Sequence, residues 1–129
     1  ELGARALHLP LPRLRGLSPE ERAAFPALGA SCHSLEDVRE AAELGCSYGT
    51  LGHIFPTGCK PGLPPRGVEL LAQVCQASPL PVYAIGGVGP GNIAQVRQAG
   101  AAGACVMSGF MTAPDPARLV GQLRKEAEL

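Results

Sequence analysis

The sequence predicts an α/β protein in which short parallel strands alternate with helices. Three observations carry that prediction: five short runs that are apolar without alternation, helix-start signals between them, and a repeated glycine punctuation ahead of strands. Continuous apolarity suits strands covered on both faces, because a strand with one wet face would alternate.

The runs are Arg5 to Leu9, Ala27 to Cys32, Tyr48 to Ile54, Val82 to Ile85 and Ala104 to Met107. After the first, Ser18-Pro19-Glu20-Glu21 supplies an N-cap, a proline at the first helical position and a glutamate at the third. After the second, Ser34-Leu35-Glu36-Asp37 repeats the logic. Leu35, Val38, Ala42 and Leu44 approximate one apolar helix stripe. Ile93, Val96 and Ala99 make another beyond Pro90-Gly91-Asn92, and Leu119, Val120 and Leu123 make a third. Glu43-Leu44-Gly45-Cys46 and Gln98-Ala99-Gly100-Ala101 each end a helix at glycine and lead into a strand, which implies a repeated βα unit. Glu1-Leu2-Gly3-Ala4 has the same form. It reads as the last turn of a helix, and the chain begins without methionine, so further sequence upstream is expected.

At 129 residues the chain has the size of one domain, residues 1–129. Its 11 basic and 11 acidic residues cancel and are spread along the chain, so no basic face offers itself to nucleic acid or to a membrane. A small molecule is the expected partner. Five cysteines, with no CxxC spacing, argue for reduced thiols and a cytoplasmic setting. No apolar stretch approaches the roughly eighteen residues of a membrane span.

Strand starts recur about every twenty residues, except that 34 separate Tyr48 from Val82. The excess is a Gly/Pro-rich loop, Pro56 to Pro65, at a strand's C-terminal end, where α/β proteins place ligand chemistry. Its alternative is a tolerated insertion. His53, beside Gly52 at the mouth of this loop, is the candidate catalytic residue, since an imidazole can take and return a proton. A core histidine bonded to a backbone carbonyl is the competing reading. His8 and His33 also end strands but precede no comparable loop, and structural roles are expected for them.

Gly86-Gly87 and Ser108-Gly109 end the last two strands. Glycine lets the backbone approach an anion, and the exposed N–H groups of such turns bind phosphate. In the long loop, Lys60 can hold a carboxylate or phosphate as a point charge, next to Thr57 and Cys59. A thiolate nucleophile at Cys59 would need a base partner that the sequence does not show. The only aspartates, Asp37 and Asp115, lie at helix starts, so no metal site is expected.

These residues resemble the family of thiamin phosphate synthase and its relative thiazole tautomerase (TenI), both (βα)8 TIM barrels. The resemblance rests on Tyr48 to Lys60 with Pro64, Arg66, Gly67 and Val68, on Pro81 to Val88, and on Ala99 to Gly109. The synthase branch usually has Gly-Pro where this chain has Gly52-His53, whereas the tautomerase branch has Gly-His and a Cys-Lys pair in the loop, as at Cys59-Lys60. Synthases also carry a Gln and a Mg²⁺-binding Asp after the strand matching Ala6 to Leu9. This chain continues Pro10-Leu11-Pro12-Arg13.

The resemblance implies an isomerase: aromatisation of a carboxythiazole phosphate tautomer in thiamin biosynthesis, with His53 as the proton-transfer residue and no cofactor. Gly86, Gly87, Ser108 and Gly109 would hold the phosphate, and Lys60, Thr57 or Cys59 the rest of the ligand. It further implies that these five βα units are the fourth to eighth of a barrel, the C-terminal part of a single TIM-barrel domain that needs its N-terminal units. A homodimer stays open. Two other readings remain: thiamin phosphate synthase, and a non-catalytic regulator that binds thiazole or thiamin phosphate.

Overall fold

In this computed structural model, which describes residues 2–128, the apolar runs form strands β1 (Ala6–Pro10), β2 (Ala27–Cys32), β3 (Tyr48–Leu51), β4 (Val82–Ile85) and β5 (Gly103–Cys105). Helices α1 (Leu11–Arg15), α2 (Pro19–Ala23), α3 (Leu35–Glu43), α4 (Gly67–Ala77), α5 (Ile93–Gln98), α6 (Ser108–Thr112) and α7 (Pro116–Ala127) connect and follow them. All four strand pairings are parallel, and the sheet order is β1-β2-β3-β4-β5. Each strand thus lies beside the next in sequence, with helical segments as the crossovers that parallel pairing requires.

Local signals place the helices. Ser18 closes a capping box with Glu21, accepting from its N–H at 3.1 Å while the Glu21 carboxylate accepts from Ser18 N–H at 2.7 Å. Ser34 caps α3 through Asp37 N–H. The echoed glycines do the same work twice: Gly45 and Gly100 have φ of 91° and 96°, and each helix closes with a bond from the following residue, Cys46 N–H to Ala41 O and Ala101 N–H to Val96 O. This is the Schellman closure, which needs the left-handed backbone that glycine adopts most readily.

The core lies between the helices and one face of the sheet. Leu28, Ala30 and Cys32 from β2, Leu51 from β3, and Val82 and Ala84 from β4 meet Leu14, Val38, Ala41, Leu71, Val74 and Val96 from the helices, all buried. Each fully buried leucine contributes about 1.5–3 kcal/mol of burial free energy.

Several details differ from the sequence reading. The sheet is covered on one face only among the described residues; on the other, Ile85 is exposed and Tyr48 and Tyr83 are half-buried. The third run is a regular strand only to Leu51; beyond it Gly52 N–H bonds Cys32 O, and Ile54 and Phe55 N–H bond Ile85 O and Gly86 O, at the ends of the neighbouring strands. The fifth strand is Gly103–Cys105 rather than Ala104 to Met107. The stripe on α3 runs through Ala41, with Ala42 half-buried. Leu11–Arg15, to which the sequence reading assigned no element, is a helix with Leu11 and Leu14 buried; Pro12 falls in the first turn, where no intrahelical N–H is needed. Leu2 to Ala4 are not helical, with Gly3 at φ 63°, and Glu1 lies outside the described residues.

Candidate functional site

A cavity of about 590 Å³ opens on the uncovered face, at the C-terminal ends of the strands. Alternation along each strand points His8, Ser31, Tyr48, Thr50 and Cys105 into it, while the turns after β3, β4 and β5 supply His53, Gly86, Gly87 and Ser108. Thr57, Cys59 and Lys60 of the long loop complete the wall.

His53 is buried, at 6% exposure, yet lines this cavity. Its Nε2 lies 3.1 Å from Leu63 O. The bond to a backbone carbonyl that marks a structural histidine is therefore present, but it uses only one ring nitrogen. Arg66 wraps the same segment, its N–H donating to His53 O at 2.9 Å and its guanidinium Nε donating to Gly52 O. Gly86 packs directly on His53: a Cβ there would stand 2.2 Å from His53 Cβ.

The Gly86-Gly87 turn has φ of 98° and 67°. Asn92 staples it, donating from Nδ2 to Gly87 O and accepting from Gly89 N–H, each at 2.9 Å. Among the described residues, no acceptor pairs with the N–H groups of Gly86, Gly87 or Ser108. Unpaired amides at a cavity wall can take an anion's oxygens. Gly109, expected beside them, sits one residue further along α6 and is not part of the wall.

On the opposite side, His8 is bracketed by two hydroxyls, with Nδ1 2.9 Å from Tyr48 Oη and Nε2 2.9 Å from Ser31 Oγ. Its partial burial lowers its pKa from 6.5. His33 also lines the cavity, its N–H bonded to Asp37 Oδ2 at 2.8 Å. Both histidines thus join the site, although the sequence ranked them below His53. Tyr48, Ser31, Thr50 and Asn92 were not singled out, since nothing local marks them; Tyr48 and Ser31 reach His8 only through strand register.

Cys32 and Cys105 line the cavity too, but burial keeps them as neutral thiols, pushing the Cys32 pKa up to about 12 and raising that of Cys105. The synthase resemblance implies Mg²⁺. No aspartate or glutamate lines the cavity, and no group of three His, Cys, Asp or Glu able to hold a metal exists among the described residues. The donors present here do not fit a hard cation, which takes oxygen ligands.

A parallel sheet with helices on one face and a cavity at its strand ends defines an α/β protein. The chain belongs to the thiamine monophosphate synthase family, whose pattern matches residues 1–110. It is 40% identical over 129 residues to the thiamine-phosphate synthase of Albidiferax ferrireducens, covering 95% of this chain and 57% of that protein. The thiamine-phosphate synthase of Thermus thermophilus is 37% identical over 127 residues, with 96% of this chain and 60% of that protein covered. Among solved structures, a thiamine phosphate pyrophosphorylase from Pyrococcus furiosus superposes with a TM-score of 0.79 at 30% identity, over 97% of this chain and 60% of that one. The chain therefore spans about three-fifths of the length of these relatives. Their names correspond to the reading held second in the sequence; none of them names a tautomerase.

Proposed function

We propose that this chain forms the ligand-bearing side of a thiamin-biosynthesis enzyme acting on a thiazole phosphate, as the fourth to eighth βα units of a TIM barrel. Two reactions use that substrate class. The geometry favours isomerisation, and the single observation behind it is His53: a buried imidazole at the cavity wall with one ring nitrogen bonded to the backbone and the other without a partner. The names of the relatives favour the second reading, transfer of a pyrimidine group to make thiamin phosphate.

In the isomerase reading the phosphate tail rests on the free N–H groups of Gly86, Gly87 and Ser108. Lys60 faces the ring carboxylate. His53 removes the proton from the ring carbon and returns it to the exocyclic carbon, so the ring becomes aromatic with no net change in composition. The transferase reading would need cation ligands from outside the described residues.

The test is turnover by the full-length protein of the carboxythiazole phosphate tautomer, followed by ultraviolet absorbance, beside a parallel assay with a pyrimidine diphosphate, Mg²⁺ and thiazole phosphate. Isomerisation that falls about 10²- to 10⁴-fold in His53→Ala, with phosphate-ester binding kept within about tenfold, supports the isomerase. Condensation without isomerisation establishes the transferase, and binding without either reaction establishes a regulator.

A further inference from the structure

We infer that the loop from Thr57 to Arg66 is a latch that selects which ring nitrogen of His53 is the base, with Nδ1 as the reacting atom and Arg66 as a positioning residue. The inference rests on the enzyme reading above for its chemistry, but not for its geometry. A carbonyl oxygen only accepts hydrogen bonds, so the 3.1 Å contact between Nε2 and Leu63 O places the ring proton on Nε2. The lone pair of the neutral ring is then on Nδ1. Nδ1 has no hydrogen-bond partner among the described residues, and no buried side-chain nitrogen or oxygen there is left without one. Nδ1 is therefore open to the cavity that His53 lines.

The loop is held by its backbone. Leu63 itself points its side chain outward, at 59% exposure. Lys60 N–H donates to Thr57 O at 3.2 Å and Leu63 N–H to Lys60 O at 3.4 Å, which curls the loop tip so that Leu63 O faces the imidazole. At its far end Arg66 N–H bonds His53 O at 2.9 Å, Gly67 N–H bonds Ile54 O at 3.0 Å, and the Arg66 guanidinium takes Gly52 O. His53 is thus gripped at its main chain by Arg66 and at its ring by Leu63. When Nδ1 gains a proton, Nε2–H stays on the carbonyl in a charge-assisted bond, so the ring keeps its orientation through the transfer.

Long-range proton–nitrogen NMR on ¹⁵N-histidine-labelled full-length protein tests the tautomer directly. A neutral His53 ring carrying its proton on Nε2 supports the latch; a proton on Nδ1 overturns it. His53→Gln places its amide near Nε2 and can keep the bond to Leu63 O, whereas His53→Asn is too short to reach. Both should lose turnover, but only His53→Asn should speed amide exchange at Arg66 and Gly67, by about two- to tenfold, as expected for one lost hydrogen bond. Equal protection in the two variants overturns the latch. Arg66→Ala should mix the two His53 tautomers and lower kcat with KM little changed; unaltered tautomer signals and kcat would remove Arg66 from the positioning role. If neither substrate reacts while the tautomer and exchange results hold, the proposed function fails and the latch stands.

Discussion

The Tyr48 hydroxyl reaches His8 Nδ1 at 2.9 Å by lying across Gly29, which sits between them in the sheet. His8 is the register partner of Gly29, and Gly29 that of Tyr48, so the three form one row across three strands. A Cβ on Gly29 would stand 2.1 Å from Tyr48 Cζ. The missing side chain is what lets two residues on non-adjacent strands bond.

Gly29→Ala should therefore act through Tyr48. The clash falls on the far end of the Tyr48 side chain, so the ring rather than the backbone must move, and the bond to His8 breaks. A net loss of about 0.5–1.5 kcal/mol is expected for that bond, as for Tyr48→Phe. Chemical denaturation of both variants and the double mutant checks the coupling: the double mutant should lose less than the sum of the singles. Strict additivity would mean that Gly29 acts independently of the hydroxyl.

The same row makes stability depend on pH. Partial burial lowers the His8 pKa below its ordinary 6.5, so the unfolded chain takes up a proton first as pH falls. The unfolded state then binds more protons, and stability declines as pH drops below about 6.5. Denaturation midpoints between pH 5 and pH 8 should show this slope flattened in His8→Gln relative to the parent. An unchanged slope would place the pH dependence elsewhere.

Thiol reactivity separates the five cysteines. Cys59 is exposed on the loop, whereas Cys32 and Cys46 are buried and Cys75 and Cys105 half-buried, the last four with pKa values raised by burial. The thiolate is the reactive species, so folded protein near pH 8 should show one fast-labelling thiol. Cys59→Ser should remove it. Fast labelling that persists would show that the cavity thiols ionise more easily than their burial implies.

Strand and helix order was legible because it is written locally. Apolar runs mark the strands, Ser18 and Ser34 announce helix starts, and Gly45 and Gly100 announce helix ends. His53 and the Gly86-Gly87 turn were legible for the same reason, since a histidine or a glycine pair at the end of an apolar run needs no distant partner to stand out. The rest of the site is non-local. Tyr48 and Ser31 meet His8 only through register, and Arg66 grips Gly52 only because the loop folds back. The open face among the described residues was not legible, because apolar Ala6, Tyr83, Ile85 and Cys105 alternate with core residues without changing polarity, so the pattern could not distinguish a cavity face from a packed one.

Adjacent glycines should fail in different ways. Gly86 and Gly87 both have positive φ, so alanine is strained at either, by roughly 1–2 kcal/mol. Their surroundings differ. A Cβ on Gly86 would lie 2.2 Å from His53 Cβ and 2.6 Å from His53 Cα, so Gly86→Ala must displace the histidine. A Cβ on Gly87 would lie 2.6 Å from Pro56 O and 2.8 Å from Phe55 Cβ, so Gly87→Ala must push the turn away from the start of the loop and disturb its free amides. Gly86→Ala should thus lower kcat more than phosphate-ester affinity, and Gly87→Ala should lower affinity more than kcat, each principal loss being about tenfold or greater, equivalent to about 1.4 kcal/mol. Gly89→Ala is the control, since a Cβ there meets nothing within 4 Å and its φ is not positive. Isothermal titration with the phosphate ester, set beside steady-state kinetics, separates the two quantities. Identical losses in both glycine variants would indicate a common unfolding of the turn, and undisturbed affinity in Gly87→Ala would move the anion away from these amides.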